Sequence, residues 1–476
     1  MNFVSLTFLI FFIVTLVSFY LVPKKGRWIV LLVASYGFYA VYNWLFGLLL
    51  LAVSFITYLS GLLMGKGKNK KAILVLTLIF VFGNLFIFKY LNFTIGSIFS
   101  IAQLFGSKAT FSSLNIILPM GISFYTFQTL SYVIDVYRGR VQPDKNFFSY
   151  SLFVTYFPQL VAGPIERYED LMPQLKNPKQ IFFDDIGEGI KYILIGYFKK
   201  IAIADVLAIY VDQVYGSLDT YSGTAILFAT ILFAFQILAD FDGYSTIAIG
   251  VSSLFGIKLT KNFDEPYLAC NIKEYWNRWH ITLTRWFRDY VYIPLGGNRK
   301  GRIRKYINIM IVFLLSGLWH GADLTFVIWG AIHGITLVIY YIITDNFNVD
   351  ENNKFAKAGS WLVVSLVSLL GWVFFRSQSL SNATLALQKI FTSFSLNEIV
   401  SLTNNYCALA YILLIPLIYF LVSRLSKIKF VEEDNFKSSL NATSIMIFAT
   451  LLVVVVAVRF YLVSIGEASS FIYFEF

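Results

Sequence analysis

From Tyr306 to Thr344 the chain carries a single formal charge, Asp323. A helix apolar on all sides has no polar face to offer water, so a run of this kind belongs in a bilayer or in a very large core. About 20 apolar residues span a hydrocarbon core, and this run is long enough for an embedded helical hairpin. His320 stands near its middle, in Leu314-Leu315-Ser316-Gly317-Leu318-Trp319-His320-Gly321. Tyr306 to Trp319 is about 14 residues, roughly 21 Å of helix against a core of about 30 Å, which predicts His320 deep, at or near the hairpin turn. An ionisable side chain at that depth is costly and reads first as function. The three histidines, His280, His320 and His333, all fall between residues 276 and 334. That clustering points to one buried polar site, and to proton transfer as its chemistry.

The rest of the chain has the same character. Of 476 residues, 58% are hydrophobic and 14% charged, which excludes a soluble fold and predicts an all-α polytopic membrane protein. Candidate spans are 3–22, 28–42, 44–63, 72–88, 114–134, 187–203, 222–239, 359–375, 406–423 and 442–464, with the hairpin over 306–344. Segments 91–105, 147–162 and 243–256 are shorter or interrupted by Gly, Pro and Ser, and suit re-entrant or interfacial helices. The first stretch has no positive region before it and no small-residue cleavage pattern, so it reads as an uncleaved span. The excess of 38 Lys+Arg over 27 Asp+Glu lies in loop clusters rather than a basic tail. It speaks for membrane orientation and against nucleic-acid binding. With Lys24, Lys25 and Arg27, the 66–71 cluster, Arg138 and Arg140, the 299–305 cluster, and Arg424, Lys427 and Lys429 in the cytoplasm, the N-terminus and residues 465–476 both fall outside. Cys270 and Cys407 imply no disulfide framework, and no acidic or Cys cluster accompanies the histidines, so no metal site is expected.

Residues 276–290 read at helical period, with Trp276, Trp279, His280, Leu283, Trp286, Phe287 and Tyr290 on one arc and Arg278, Arg285 and Asp289 opposite. This predicts one amphipathic helix at a membrane interface, with His280 on its apolar face, either packing there or serving the site. His320 is flanked by Gly317 and Gly321, and an apolar surround favours the neutral imidazole that a general base needs. His333 reads as a polar spot hydrogen-bonded within the bundle. The loop Pro294 to Lys305, rich in glycine and base and including Arg299, either receives donor phosphates or sets topology. Gln128, Gln159, Glu166, Gln236, Asp240, Asp242 and Arg376 also fall at membrane depth. Asp240 and Asp242 end a hydrophobic stretch, at a polar cavity or at its watery end. Arg459 reads as a snorkelling side chain.

In order, Leu118 to Gln128, Ile134 to Gly139, Phe157 to Ile165, Trp276 to Arg299, Gly317 to Gly321, Trp372 to Arg376 and Phe471 to Phe476 resemble the membrane-bound O-acyltransferase family. Within it they are most similar to the bacterial alginate and peptidoglycan O-acetylation branch. The match spans roughly 115–380 plus the tail, within a single integral-membrane domain over 1–476. The resemblance implies a helical bundle thinned at its centre into a funnel or tunnel, in the bacterial cytoplasmic membrane. It implies that His320 is catalytic and that His280 takes the second polar position. It also implies an acyl thioester donor from the cytoplasm, acetyl-CoA or an acyl-phosphopantetheine carrier, with no tightly bound cofactor. The C-terminal motif would carry the acyl group on Tyr473 to an extracytoplasmic SGNH-type partner; Glu475 stands where the family often has Gln or Asn. The charge map independently puts Tyr473 outside, although an aromatic tail can equally cap the bundle.

The chemistry expected is deprotonation of an accepting hydroxyl by His320, with Asn277, Arg278 or His280 stabilising the oxyanion, or direct acyl transfer through His320. The competing readings are teichoic-acid D-alanylation and a polysaccharide transporter or flippase. The latter would show repeated halves with broken helices, and the sequence has no internal repeat.

Overall fold

The computed structural model describes residues 3–67, 69–181, 183–347, 353–403, 406–425 and 442–464, and among them there is no strand. Chain contacts divide it into two compact units, Met1–Ile181 with Leu254–Leu259, and Phe182–Ser253 with Thr260–Phe476.

The first unit holds α1 (Leu6–Leu21), α2 (Arg27–Ala40), α3 (Trp44–Gly65), α4 (Lys70–Leu85), α5 (Leu91–Leu104), α6 (Ile122–Tyr137), α7 (Phe147–Thr155) and α8 (Tyr168–Lys176). Hydroxyl groups join several of its helices. Tyr150 donates to Thr57 Oγ1 at 2.8 Å, and Thr77 to Ser60 Oγ at 2.7 Å. Lipid tails give no hydrophobic drive between helices, so such bonds and close backbone packing hold them. The span expected over 114–134 begins later, at Ile122, because Pro119 offers no N–H and Gly121 sits at φ +73°. Segment 91–105 is not separate: α4 and α5 form one apolar run, Lys70–Leu104, through a π-helical turn.

The second unit holds α9 (Phe183–Tyr197), α10 (Asp205–Tyr215), α11 (Gly223–Ser253), α12 (Ile272–Arg278), α13 (Ile281–Phe287), α14 (Arg302–His320), α15 (Leu324–Asn346), α16 (Lys354–Arg376), α17 (Leu380–Thr392), α18 (Asn397–Thr403), α19 (Tyr406–Leu425) and α20 (Ala442–Ser464). α11 is its axis. That helix absorbs residues 243–253, which the sequence reading set apart as a short segment. The glycines there do not interrupt it; they let α9 come close. A Cβ at Gly243 would stand 3.0 Å from the Gly196 carbonyl oxygen, and one at Gly250 2.7 Å from that of Gly189. Six described helical runs are long and apolar enough to cross a membrane: α3, Lys70–Leu104, α11, α15, α16 and α19.

The hairpin expected over 306–344 is α14 and α15. Gly321 ends α14 in extended backbone, and Asp323 caps α15 by accepting from the Thr325 N–H at 2.8 Å. Gly317 lies against the Phe326 carbonyl and Gly330 against that of Phe313, so the two helices touch backbone to backbone just below the turn.

Candidate active site

His320 is the last residue of α14 and is buried. Its ring is caged by Trp319 and Trp329, each with centroids 4.9 Å away, and by Phe375 at 5.4 Å. His280 lies 6.5 Å from it, centroid to centroid. His280 is also buried, with Phe241 at 4.7 Å and Trp319 at 5.9 Å. The two histidines come together from segments that the sequence separates by 40 positions, one on the hairpin and one between α12 and α13.

The single amphipathic helix expected over 276–290 does not form. It breaks at Trp279 and His280, where His280 sits at φ +42°, ψ 55°, and the part after Phe287 winds as a π-helical turn, Arg288–Tyr292. The cause is tertiary. Asn262 accepts the Ile281 N–H on its carbonyl at 2.9 Å. Its side-chain oxygen accepts the Thr282 N–H at 3.2 Å and the Thr282 hydroxyl at 2.6 Å. The Asp264 N–H takes the Arg278 carbonyl at 3.0 Å. These bonds replace the helical ladder and hold a non-glycine residue in a left-handed conformation that costs about 1–2 kcal/mol. Strain of this sort persists only where the surroundings over-determine it, and it collects at functional sites. Nothing in the local pattern singled out Asn262.

Asn277, Arg278 and Arg299 are not brought to the histidine pair. Asn277 and Arg299 are exposed. Arg278 turns back along α12 to Glu274, 2.6 Å away. In the basic loop, Arg302 donates to Asn346 at 2.9 Å and Lys305 pairs with Asp345 at 2.9 Å, which ties the start of α14 to the end of α15.

His333 departs from expectation. It is fully buried on α15, yet neither ring nitrogen finds a hydrogen-bond partner among the described residues. Asp240 and Asp242 also depart: they neither end a helix nor meet water. Both are buried inside α11, Asp240 against Lys200 at 2.6 Å and Asp242 against Lys199 at 2.6 Å. Lys200 also meets Asp205 at 2.8 Å, and the Tyr419 hydroxyl donates to Asp242 at 2.7 Å. The two lysines lie on the π-helical turn Phe198–Ala204, and their interruption of the apolar stretch 187–203 is the one sequence signal of this cluster. Gln128, Gln159 and Glu166 are buried in the first unit, and Gln236 in the second. Arg376 pairs with Asp212 at 2.6 Å. Among the described residues no three His, Cys, Asp or Glu side chains form a metal-holding group. Tyr473 lies outside the described residues.

Residues 142–378, which contain all three histidines, match the model of the membrane-bound O-acyltransferase family. The chain is 39% identical to the probable alginate O-acetylase of Pseudomonas putida, over 80% of this chain and 78% of that one. The membership is therefore plain. This chain belongs to the membrane-bound O-acyltransferase family. It is 37% identical to the peptidoglycan O-acetyltransferase of Helicobacter pylori, over 77% and 73% of the two chains. The teichoic acid D-alanyltransferase of Bacillus subtilis is more distant, 29% identical over 51% and 62%. As an O-acyltransferase with these spans, the protein is a multi-pass membrane enzyme that takes its acyl group from a donor substrate.

Proposed function

We propose that this acyltransferase moves an acetyl group from a cytoplasmic thioester, across the bacterial cytoplasmic membrane, for O-acetylation of a cell-surface or exported polysaccharide. The observation that carries the reading is the buried, ring-caged pair His320 and His280, 6.5 Å apart. Relatives named as alginate and peptidoglycan acetylases cover far more of the chain than those named as alanyltransferases, which supports acetyl transfer over D-alanylation.

His320 takes the proton of the accepting hydroxyl as its oxygen attacks the thioester carbonyl. The tetrahedral intermediate collapses with cleavage of the C–S bond. The imidazolium returns its proton to the departing sulfur, so one ester and one thiol leave and the histidine is restored. Apolar walls of Trp and Phe around His320 disfavour water and so protect the thioester from hydrolysis during this exchange. His280 is positioned beside the reacting atoms to polarise the carbonyl oxygen. The acceptor in this reading is the hydroxyl of Tyr473, in an outward tail over residues 465–476, and an SGNH-type partner outside the cell completes transfer to glycan.

The test is the acetyl-ester content of isolated wall and exopolysaccharide from a deletion strain carrying wild-type protein or Tyr473→Phe, with mass spectrometry of the C-terminal peptide. Loss of esters to background in Tyr473→Phe, at equal membrane abundance, is expected. Near-normal esters would return the tail to a packing role, since the substitution removes one oxygen and a bond of about 0.5–1.5 kcal/mol.

A further inference from the structure

Three consecutive residues of another segment hold the backbone of His280 where a histidine rarely rests. The Asn262 carbonyl accepts the N–H just after His280, on Ile281, at 2.9 Å. The Asp264 N–H donates to the carbonyl two residues before it, on Arg278, at 3.0 Å. Between them the Phe263 ring lies 6.1 Å from the His280 ring and 5.1 Å from that of Trp279. Both backbone flanks of His280 are thereby fixed, and Phe263 and Phe241 bound the swing of its ring.

Asn262 carries most of this clamp. It is buried, and its side-chain oxygen accepts both the Thr282 N–H at 3.2 Å and the Thr282 hydroxyl at 2.6 Å. Its amide nitrogen donates to the Ser245 hydroxyl at 3.5 Å, so one side chain ties the start of α13 to α11. An apolar residue of the same size would withdraw the acceptor from two buried donors at once.

A chain reversal does not need a histidine. Glycine takes positive φ at no steric cost and asparagine visits it readily, yet His280 stands there at φ +42°. Among the described residues three other than glycine have positive φ, and two of them, Glu265 and His280, lie on the two segments of this clamp. Glu265, at φ +51°, also precedes Pro266, whose ring disfavours helical backbone in the residue before it. Strain gathered on both sides of one contact, with a buried ionisable ring at its centre, points to placement of the ring as what the clamp serves.

We propose that Asn262 is a positioning residue for acyl transfer: through the left-handed backbone of His280 it sets that ring beside His320, 6.5 Å away. The proposal rests on the part given to His280 above. Asn262 takes no proton and holds no substrate; its effect passes through His280.

The test follows the initial rate of acetyl-ester formation on wall and exopolysaccharide in a deletion strain, per amount of full-length protein in the membrane. Thermal unfolding of each purified variant is read alongside. Asn262→Ala should lower the rate about tenfold to a hundredfold, the scale of a misplacement of about 1 Å near reacting atoms. Asn262→Asp keeps the accepting oxygen and should bring the rate back to within about threefold of wild type, whereas Asn262→Leu should not. On a His280→Asn background, which keeps the turn, Asn262→Ala should cost less than about a further twofold, because residues acting as one unit do not add. Losses that multiply overturn the proposal, as does a wild-type rate in Asn262→Ala or an Asp variant as slow as the Ala one. If Asn262→Ala does not accumulate, Thr282→Val takes its place, since it withdraws only the 2.6 Å hydroxyl bond. A rate about threefold lower, with no further loss on the His280→Asn background, then supports the proposal, and an unchanged rate overturns it. A wild-type rate in His280→Asn removes His280 from the chemistry, and the proposal falls with that reading. A slow His280→Asn beside an unaffected Asn262→Ala sinks the proposal alone.

Discussion

The second unit buries two polar assemblies on either side of α11, and they solve the problem of depth in opposite ways. In one, Lys199 and Lys200 meet Asp205, Asp240 and Asp242 at 2.6–2.8 Å, so each formal charge has an opposite within reach. In the other, His280 and His320 pack against the rings of Phe241, Trp319, Trp329 and Phe375. Phe241 belongs to both, flanked in sequence by the two paired aspartates and touching His280. Fixed charges in pairs cannot easily change protonation, because losing one partner strands the other. A ring that is neutral can gain and return a proton. Depth alone therefore does not mark chemistry; what surrounds the group does.

Four experiments would break or sharpen that contrast. His320→Ala should cost about 10²–10⁴-fold in thioester turnover at near-normal membrane abundance. Retention of half the wild-type rate would make His320 a packing residue and erase the distinction. Lys200→Met should act on the fold instead, by about 3–5 kcal/mol, because Asp205 and Asp240 are left buried without their cation. The readout is membrane abundance and thermal unfolding in detergent; a normally folded but inactive Lys200→Met would place the ion pairs in the chemistry after all. His280→Asn should keep the fold, since Asn tolerates the left-handed backbone, and lose less turnover than His320→Ala. Equal loss from both would show that the two rings act as one unit.

The smallest effect is expected outside the spans, at Asp144 in the first unit. Burial would raise its carboxyl, but the Tyr168 hydroxyl, the Asn146 N–H and Lys176 outweigh that and hold it below the ordinary carboxylate range. With the folded value depressed, its contribution is complete above a pH of about 4 and fades as pH falls through the lower folded value. Thermal unfolding of wild type should therefore drop in that acidic window more than that of Asp144→Asn, and parallel curves would show that this paired charge stabilises nothing.

How much of this was legible depended on where the deciding partner lay. The hairpin and the burial of His320 at its turn follow from a continuous apolar run and its length. The break at His280 does not, because the period of Trp276, Trp279, Leu283 and Trp286 continues straight across it. Only Asn262, supplied by another segment, undoes the helix. Gly243 and Gly250 read as interruptions because their complement is Gly196 and Gly189 on α9, and glycine alone does not reveal whether it breaks a helix or admits a neighbour. Lys199 and Lys200 are silent in the sequence for the same reason: their carboxylates at 240 and 242 lie about forty positions away. The ring cage of His320 gathers Trp329 and Phe375 from α15 and α16, a meeting that composition does not announce.

The ion pairs at Asp240 and Asp242 have a consequence for timing. α11 cannot fray locally there without exposing paired charges to lipid, so that stretch opens only when the whole unit does. Phe241, held between them, then keeps the His280 ring within the slowest-exchanging part of the molecule. Amide hydrogen exchange would find the protection of residues 238–245 equal to that of global unfolding, and the geometry of the histidine pair constant over every motion faster than that.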